Sequence, residues 1–294
     1  MRKTRYRMSA VVSAALIGWL ALPAPLCAQD AVTLLFYYPG GENTTDAART
    51  VMGLFADAVN QTSGVKIAAE YYPNRNPFAQ LVGSSPHPLI LMRLDSYLEF
   101  SREGVDLIPQ LLAEPAFGSG STTYRIYGGK DERRCARLYL GVDLSSAFMG
   151  QLFGKDWQSI PMALTQEPLE ALEALAAQNQ AMPSAPEKAQ AGACVVLDAR
   201  QWEALESIQF PWEEDLKKIA ESIPTANPMV VSVGKPSAAG DKVLAALSML
   251  DDKSEYGEIL TELQVKQFLP LSADQATVLA DWKTRYGETP RAPR

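Results

Sequence analysis

One histidine and three cysteines among 294 residues leave little room for metal or nucleophile chemistry. His87 stands between Pro86 and Pro88, and no Cys/His pair is close in sequence. Zinc sites need clustered Cys, His or carboxylate ligands, and a catalytic thiol needs a base beside it. No Gly-x-Ser-x-Gly elbow occurs, and Gly118-Ser-Gly-Ser121 lacks that spacing. Gly234-Lys235-Pro236 has neither the upstream glycine nor the Ser/Thr of a phosphate loop. The chain is therefore expected to be no enzyme and to hold no metal and no cofactor. Beyond its first seven residues it also lacks a Lys/Arg cluster, and its formal charge is −7, so nucleic acid and anionic lipid are excluded as partners held by bulk charge.

The one long apolar run is N-terminal. Arg2, Lys3, Arg5 and Arg7 precede Ala10 to Leu22, and Pro23 and Pro25 lead into Leu26-Cys27-Ala28. This is the layout of a cleavable export signal spanning 1–28, and the run is short for a membrane span. Cys27 raises lipidation, but Ala24-Pro25-Leu26 before it is a poor lipoprotein pattern. Release near Ala28 into the periplasm is the expectation. It removes four positive charges and no acids, taking the formal charge from −7 to −11 over the remaining 266 of 294 residues. Cys135 and Cys194 then remain, either as a disulfide suited to an oxidising compartment or as two buried thiols.

Downstream of the signal, strand and helix alternate. Val32 to Tyr38 reads as a strand, Pro39 to Thr45 as a polar loop, Asp46 to Asn60 as a helix, and Val65 to Tyr72 as a strand. Pro88 to Leu94 reads as a buried strand ending in Asp95-Ser96-Tyr97, and Val105 to Leu112 as another. A second block places strands at Arg137 to Val142, Ile160 to Leu164 and Cys194 to Leu197, with a helix over Ser145 to Phe153. Gln178 to Ala191, rich in Ala, Pro and Gln, reads as a surface excursion. Pro228 to Val233 is a strand, and helical stretches are expected over Asp241 to Leu250, Leu260 to Phe268 and Ala273 to Tyr286.

Such alternation predicts an α/β fold with two mostly parallel sheets. Two lobes are expected, joined by crossover segments near Tyr124–Gly129 and Ala226–Val233. The first lobe takes 29–125 and 229–294, and the second takes 126–228. Ligands of such folds sit beyond the carboxyl ends of the strands.

Three stretches carry a resemblance: Leu34 to Pro39 with its helix; Cys194-Val-Val-Leu-Asp198 with Leu216 to Pro224; and Asn227 to Val233 with a helix, then Leu260 to Leu269 with its Phe268. They are similar to the periplasmic solute-binding proteins of the phosphate/phosphite/phosphonate ABC-transporter group. The resemblance implies a type II periplasmic-binding-protein fold and capture of a small anion or zwitterion for delivery to an inner-membrane permease. A binding module of the same fold serving a sensor or other membrane partner is the alternative. A monomer is expected.

The candidate ligand-binding residues are Tyr38, Glu42, Thr44, Thr45, Ser96, Tyr97, Ser145, Ser146 and Asp198. Hydroxyls and free N–H groups at helix starts suit a tetrahedral anion. Capping is the commoner role for Thr44, Thr45 and Ser145, and Tyr38 and Tyr97 equally suit a core. The acids Glu42, Asp95, Asp143 and Asp198 would repel a bare anion, whereas a ligand bearing an amine would use one as partner.

Overall fold

A computed structural model describes residues 32–39, 46–85, 88–116, 121–130, 132, 134–165, 167–180, 192–208 and 210–289. The export signal, Glu42, Thr44, Thr45 and His87 lie outside the described residues. No helix among them is long and apolar enough to cross a membrane.

The first run is β1 (Val32–Tyr37), α1 (Asp46–Ser63), β2 (Ile67–Tyr72), α2 (Arg75–Ser84), β3 (Leu89–Met92), α3 (Leu94–Arg102) and β4 (Leu107–Pro115). The second is β5 (Tyr124–Gly129), β6 (Arg137–Leu140), α4 (Ser146–Phe153), α5 (Lys155–Gln158), β7 (Met162–Leu164), α6 (Pro168–Gln180), β8 (Ala193–Asp198), α7 (Ala199–Ile208) and β9 (Leu216–Glu221). The chain returns through β10 (Met229–Val233), α8 (Ala238–Leu247), α9 (Gly257–Glu262), β11 (Val265–Pro270) and α10 (Ala273–Glu288).

One sheet has the order β11-β4-β10-β3-β1-β2, the other β7-β6-β8-β5-β9. Both are mixed rather than mostly parallel. β1 pairs in parallel with β2 and β3, and β6 with β7 and β8. The strands that come after the crossings, β5 and β10, pair antiparallel with both neighbours. They enter their sheets directly from the opposite half, without the helical crossover that parallel pairing requires.

The crossings also sit earlier than expected. Tyr124–Gly129 and Met229–Val233 are interior strands, and their apolar residues are buried on both faces as such strands demand. The connections are the segments just before them, and these two run side by side. Thr122 and Thr225 exchange backbone hydrogen bonds of 3.2 and 2.8 Å, and the Tyr124 amide donates to Ser222 Oγ at 2.9 Å.

The expected helix over Leu260 to Phe268 is half strand. α9 ends at Glu262, Gln264 turns the chain with φ 55°, and β11 pairs antiparallel with β4. An irregularity between Val265 and Gln267 puts both Val265 and Phe268 inward, so a bulged strand imitates helical spacing.

The halves share one core. Phe148 of α4, fully buried, packs on Trp282 and Tyr286 of α10 with ring centroids 6.0 and 6.4 Å away. The Tyr286 hydroxyl donates to Glu99 of α3 at 3.1 Å and lies 3.0 Å from Ser145 Oγ. Ser272 and Gln275 form the capping box that starts α10.

Cys135 and Cys194 are joined in a disulfide with Cα atoms 5.6 Å apart, tying the segment before β6 to the buried start of β8. Their separation of 59 residues makes the bridge worth about 4 kcal/mol in loop entropy of the unfolded chain. Replacing both by serine is expected to lower the urea midpoint by a corresponding amount without altering the native circular dichroism. An unchanged midpoint would refute this role for the bridge.

Candidate functional site

The apolar run of β3 ends at Arg93, whose backbone is extended as it caps α3. Its side chain is only 6 % exposed, an expensive place for a charge. The first turn of α3 supplies the compensation. Arg93 Nε donates to Asp95 Oδ1 at 3.0 Å, and NH2 donates to Asp95 Oδ2 at 2.8 Å. NH2 also donates to the Asp143 carbonyl of the other half at 2.7 Å, and NH1 reaches the Pro39 carbonyl at 3.5 Å. Burial works against the guanidinium charge, but the Asp95 carboxylate outweighs it and holds the Arg93 pKa above its ordinary range.

Register brings Tyr38 to the same place. Tyr37 pairs with Met92, so Tyr38 and Arg93 are the next residues along adjacent strands. The guanidinium lies 4.8 Å from the centre of the Tyr38 ring. The Tyr38 hydroxyl donates to Asp198 Oδ2 at 2.8 Å, across to the end of β8. Asp198 Oδ1 accepts from the Gln201 amide at 3.0 Å, while Asp198 N donates to Gln201 Oε1 at 3.1 Å, a reciprocal cap that starts α7. Gln201 Nε2 in turn donates to the Gly141 carbonyl at 3.0 Å. A Cβ on Gly141 would come 2.7 Å from Gln201 Oε1, so a larger residue there would push the Gln201 amide aside. Polar contacts thus run from α3 through both sheets to α7.

Beside this line lies a cavity of about 550 Å³, at the carboxyl ends of β1 and β3. The first half contributes Phe36, Tyr38, Met52 and Arg93, and the second contributes Tyr124, Asp198 and Glu203. Burial raises the Tyr124 hydroxyl far above its ordinary pKa, so this side chain is neutral. The Glu203 carboxyl is pushed up by burial and then by Glu206 and Asp198. Among the described residues no group of His, Cys, Asp or Glu is placed to hold a metal ion.

Of the candidates named from the sequence, Tyr38 and Asp198 line the cavity and touch each other. Ser96 and Tyr97 are buried in the first turn of α3, away from the cavity lining. Ser145 caps α4 by accepting from the Phe148 amide at 3.3 Å, and its contact with Tyr286 ties it to α10. Ser146, the first residue of α4, does not line the cavity. Glu42, Thr44 and Thr45 cannot be placed, since they fall outside the described residues. Sequence reasoning missed Arg93, Tyr124 and Glu203. Arg93 had a legible signal: a lone charge closing an apolar run, with an acid two positions on.

No family model and no curated protein matches the sequence. Solved structures do. The chain is similar to XAC2383 from Xanthomonas citri bound to ATP, with TM-score 0.64, 11 % identity, and 87 % and 96 % of the two chains covered. It is similar to a binding-protein component of an ABC phosphonate transporter from Pseudomonas aeruginosa, with TM-score 0.60, 14 % identity, and 88 % of each chain covered. PhnD1 from Prochlorococcus marinus in complex with methylphosphonate gives TM-score 0.57, 11 % identity, and coverage of 87 % and 98 %. Identities this low establish the fold alone: two lobes, α/β, of the type II periplasmic-binding-protein kind.

Removing one member of the buried ion pair strands the other. Arg93→Met and Asp95→Asn are each expected to cost about 3–5 kcal/mol. The double variant should lose clearly less than the sum of the two, as a double-mutant cycle by urea denaturation would read. Strict additivity would show that the two do not act as a pair.

Asp143 supplies a second test. The residue is exposed, yet partial burial raises its carboxyl pKa, with Asp95 and Glu99 adding to the rise against Arg93. A carboxyl raised on folding contributes stability only when protonated, and that contribution is lost as pH rises through the folded value. Asp143→Asn is therefore expected to melt no lower than the parent at pH 7, with the difference shrinking as the pH falls toward roughly 3.9. A variant that melts lower at pH 7 and recovers in acid would reverse this sign.

Proposed function

We propose that this chain is a periplasmic solute-binding protein that captures a small polar ligand between its two lobes. In this reading the first lobe is formed before and after the second along the chain, with β5 in the second sheet and β10 in the first. The observation that carries the reading is the cavity itself. It lies at the carboxyl ends of β1 and β3, its walls come from both halves, and the Tyr38–Asp198 hydrogen bond spans them. A ligand that seats there touches both halves at once, and its binding energy then favours the closed arrangement over an open one. The paired crossings at Thr122 and Thr225 are two short strands of backbone, suited to act as the hinge.

The closed form is what a membrane partner would read. The fold shared with a phosphonate-transporter component favours the permease of an ABC importer as that partner. The role is non-catalytic: the chain holds a ligand and releases it unchanged. Export by a signal over 1–28 places it where such a partner draws its solute.

Native mass spectrometry of gently purified protein is expected to reveal a bound small molecule, and a metabolite library screened by thermal shift should contain a stabiliser. At about a hundred times Kd a ligand adds ~2.7 kcal/mol, which for a chain of this size is on the order of 5–10 °C. Tyr38→Phe should reduce that shift. An empty protein that no library member stabilises would overturn the reading.

A further inference from the structure

We propose that the ligand carries an apolar body, a ring or a short hydrocarbon chain, which inserts between the first half of α1 and the sheet of the first lobe. Its polar end stays at the mouth, beside Tyr38 and Asp198. The inference rests on the binding role proposed above and concerns the chemical class of the ligand.

An uncovered stretch of the first-lobe core carries it. Phe36 of β1 pairs with Leu91 of β3, and Leu91 pairs with Val230 of β10, so the three share the sheet face that α1 packs on. The cover is uneven. Phe55 and Val59 of α1 are fully buried, and the Phe36 and Phe55 rings meet edge-on with centroids 5.4 Å apart. Val51, one turn before Phe55, is only half-buried. So is Leu91, although β3 lies inside the sheet with a strand on either side. Both line the cavity, together with Met52, Ala113 and Val265, and the same cavity continues to Tyr38, Tyr124 and Asp198. Protein interiors are close-packed, so an apolar face left open beneath a helix leaves room for a guest of its own kind.

The polar groups at the mouth already hold one another. Asp198 accepts from the Tyr38 hydroxyl and the Gln201 amide, and Arg93 donates to Asp95 and to the Asp143 carbonyl. A charged group that enters must break into these bonds, whereas an apolar body gains by covering Val51 and Leu91 from water. A cavity of about 550 Å³ has the volume of a site for an organic molecule. A bare oxyanion would leave the slot under α1 unfilled.

Isothermal titration of the full mature chain tests the class with three homologous series, alkylphosphonates, alkanoates and alkylamines, each from the methyl to the octyl member. In at least one series the methyl member is expected to be silent or weak, and affinity to climb about fourfold per added methylene until the slot is filled. Val51→Asp sets a charge in the slot and should abolish the climb. Val51→Thr keeps the shape and adds a hydroxyl; it should weaken the octyl member several-fold, and it carries the test if Val51→Asp fails to fold. Affinity that stays flat or falls with chain length overturns the inference and leaves the binding role standing. So does octyl affinity unchanged in the folded Val51 variants. Should no series bind while the metabolite library yields a stabiliser, an apolar body on that molecule and its weakening by Val51→Thr support the inference; the lack of either overturns it. Silence from the three series together with silence from the library brings down both readings.

Discussion

A charge buried at the end of a strand sets the terms for everything around it. Arg93 cannot leave water without partners, because the desolvation cost of a lone ion is several kcal/mol. Its partners must therefore be in place when the chain is folded. Asp95 is local and arrives with the first turn of α3. The Tyr38 ring comes from the register of β1 on β3. The Asp143 carbonyl comes from the other half of the molecule. Satisfying one guanidinium thus ties together a helix start, a sheet register and the seating of one half on the other.

Two further devices hold that seating. On the side of α10 the joint is apolar and packed, with Phe148, Trp282 and Tyr286 in a common core. On the side of the cavity it is polar, made by the Tyr38 hydroxyl and the Asp198 carboxylate. Apolar packing resists separation throughout the contact, whereas a single hydrogen bond facing a cavity exchanges readily for a ligand or for water. The asymmetry fits a molecule that yields at the cleft and keeps its back closed.

Much of the fold was legible because its signals are local. The buried strands are short runs of Leu, Ile and Val, and α10 shows Leu279, Trp282 and Tyr286 at helical spacing. Errors came where a neighbour decides the outcome. The run from Val265 to Phe268 has helical spacing but pairs as a bulged strand on β4, since that edge was available. The strands after the crossings lie antiparallel, and sequence alternation alone carries no direction. At the site, Tyr38 and Asp198 were found as strand ends. Ser145 was named as both a cap and a ligand group, and the contact with Tyr286 shows how its hydroxyl is used.

The order of residues alone determined the alternation of strand and helix, the apolar runs that become the two sheets, and the poverty in His and Cys. These come from short-range rules of period, turn chemistry and composition. Tertiary structure alone decided the insertion of β10 between β3 and β4, the pairing of the two crossings, and the meeting of Tyr38 with Asp198. It alone gave Arg93 its partner in the other half. Those contacts join residues 50 to 160 positions apart, and only the closing of the core brings such groups within hydrogen-bond range and gives a polar contact its value by removing water from around it.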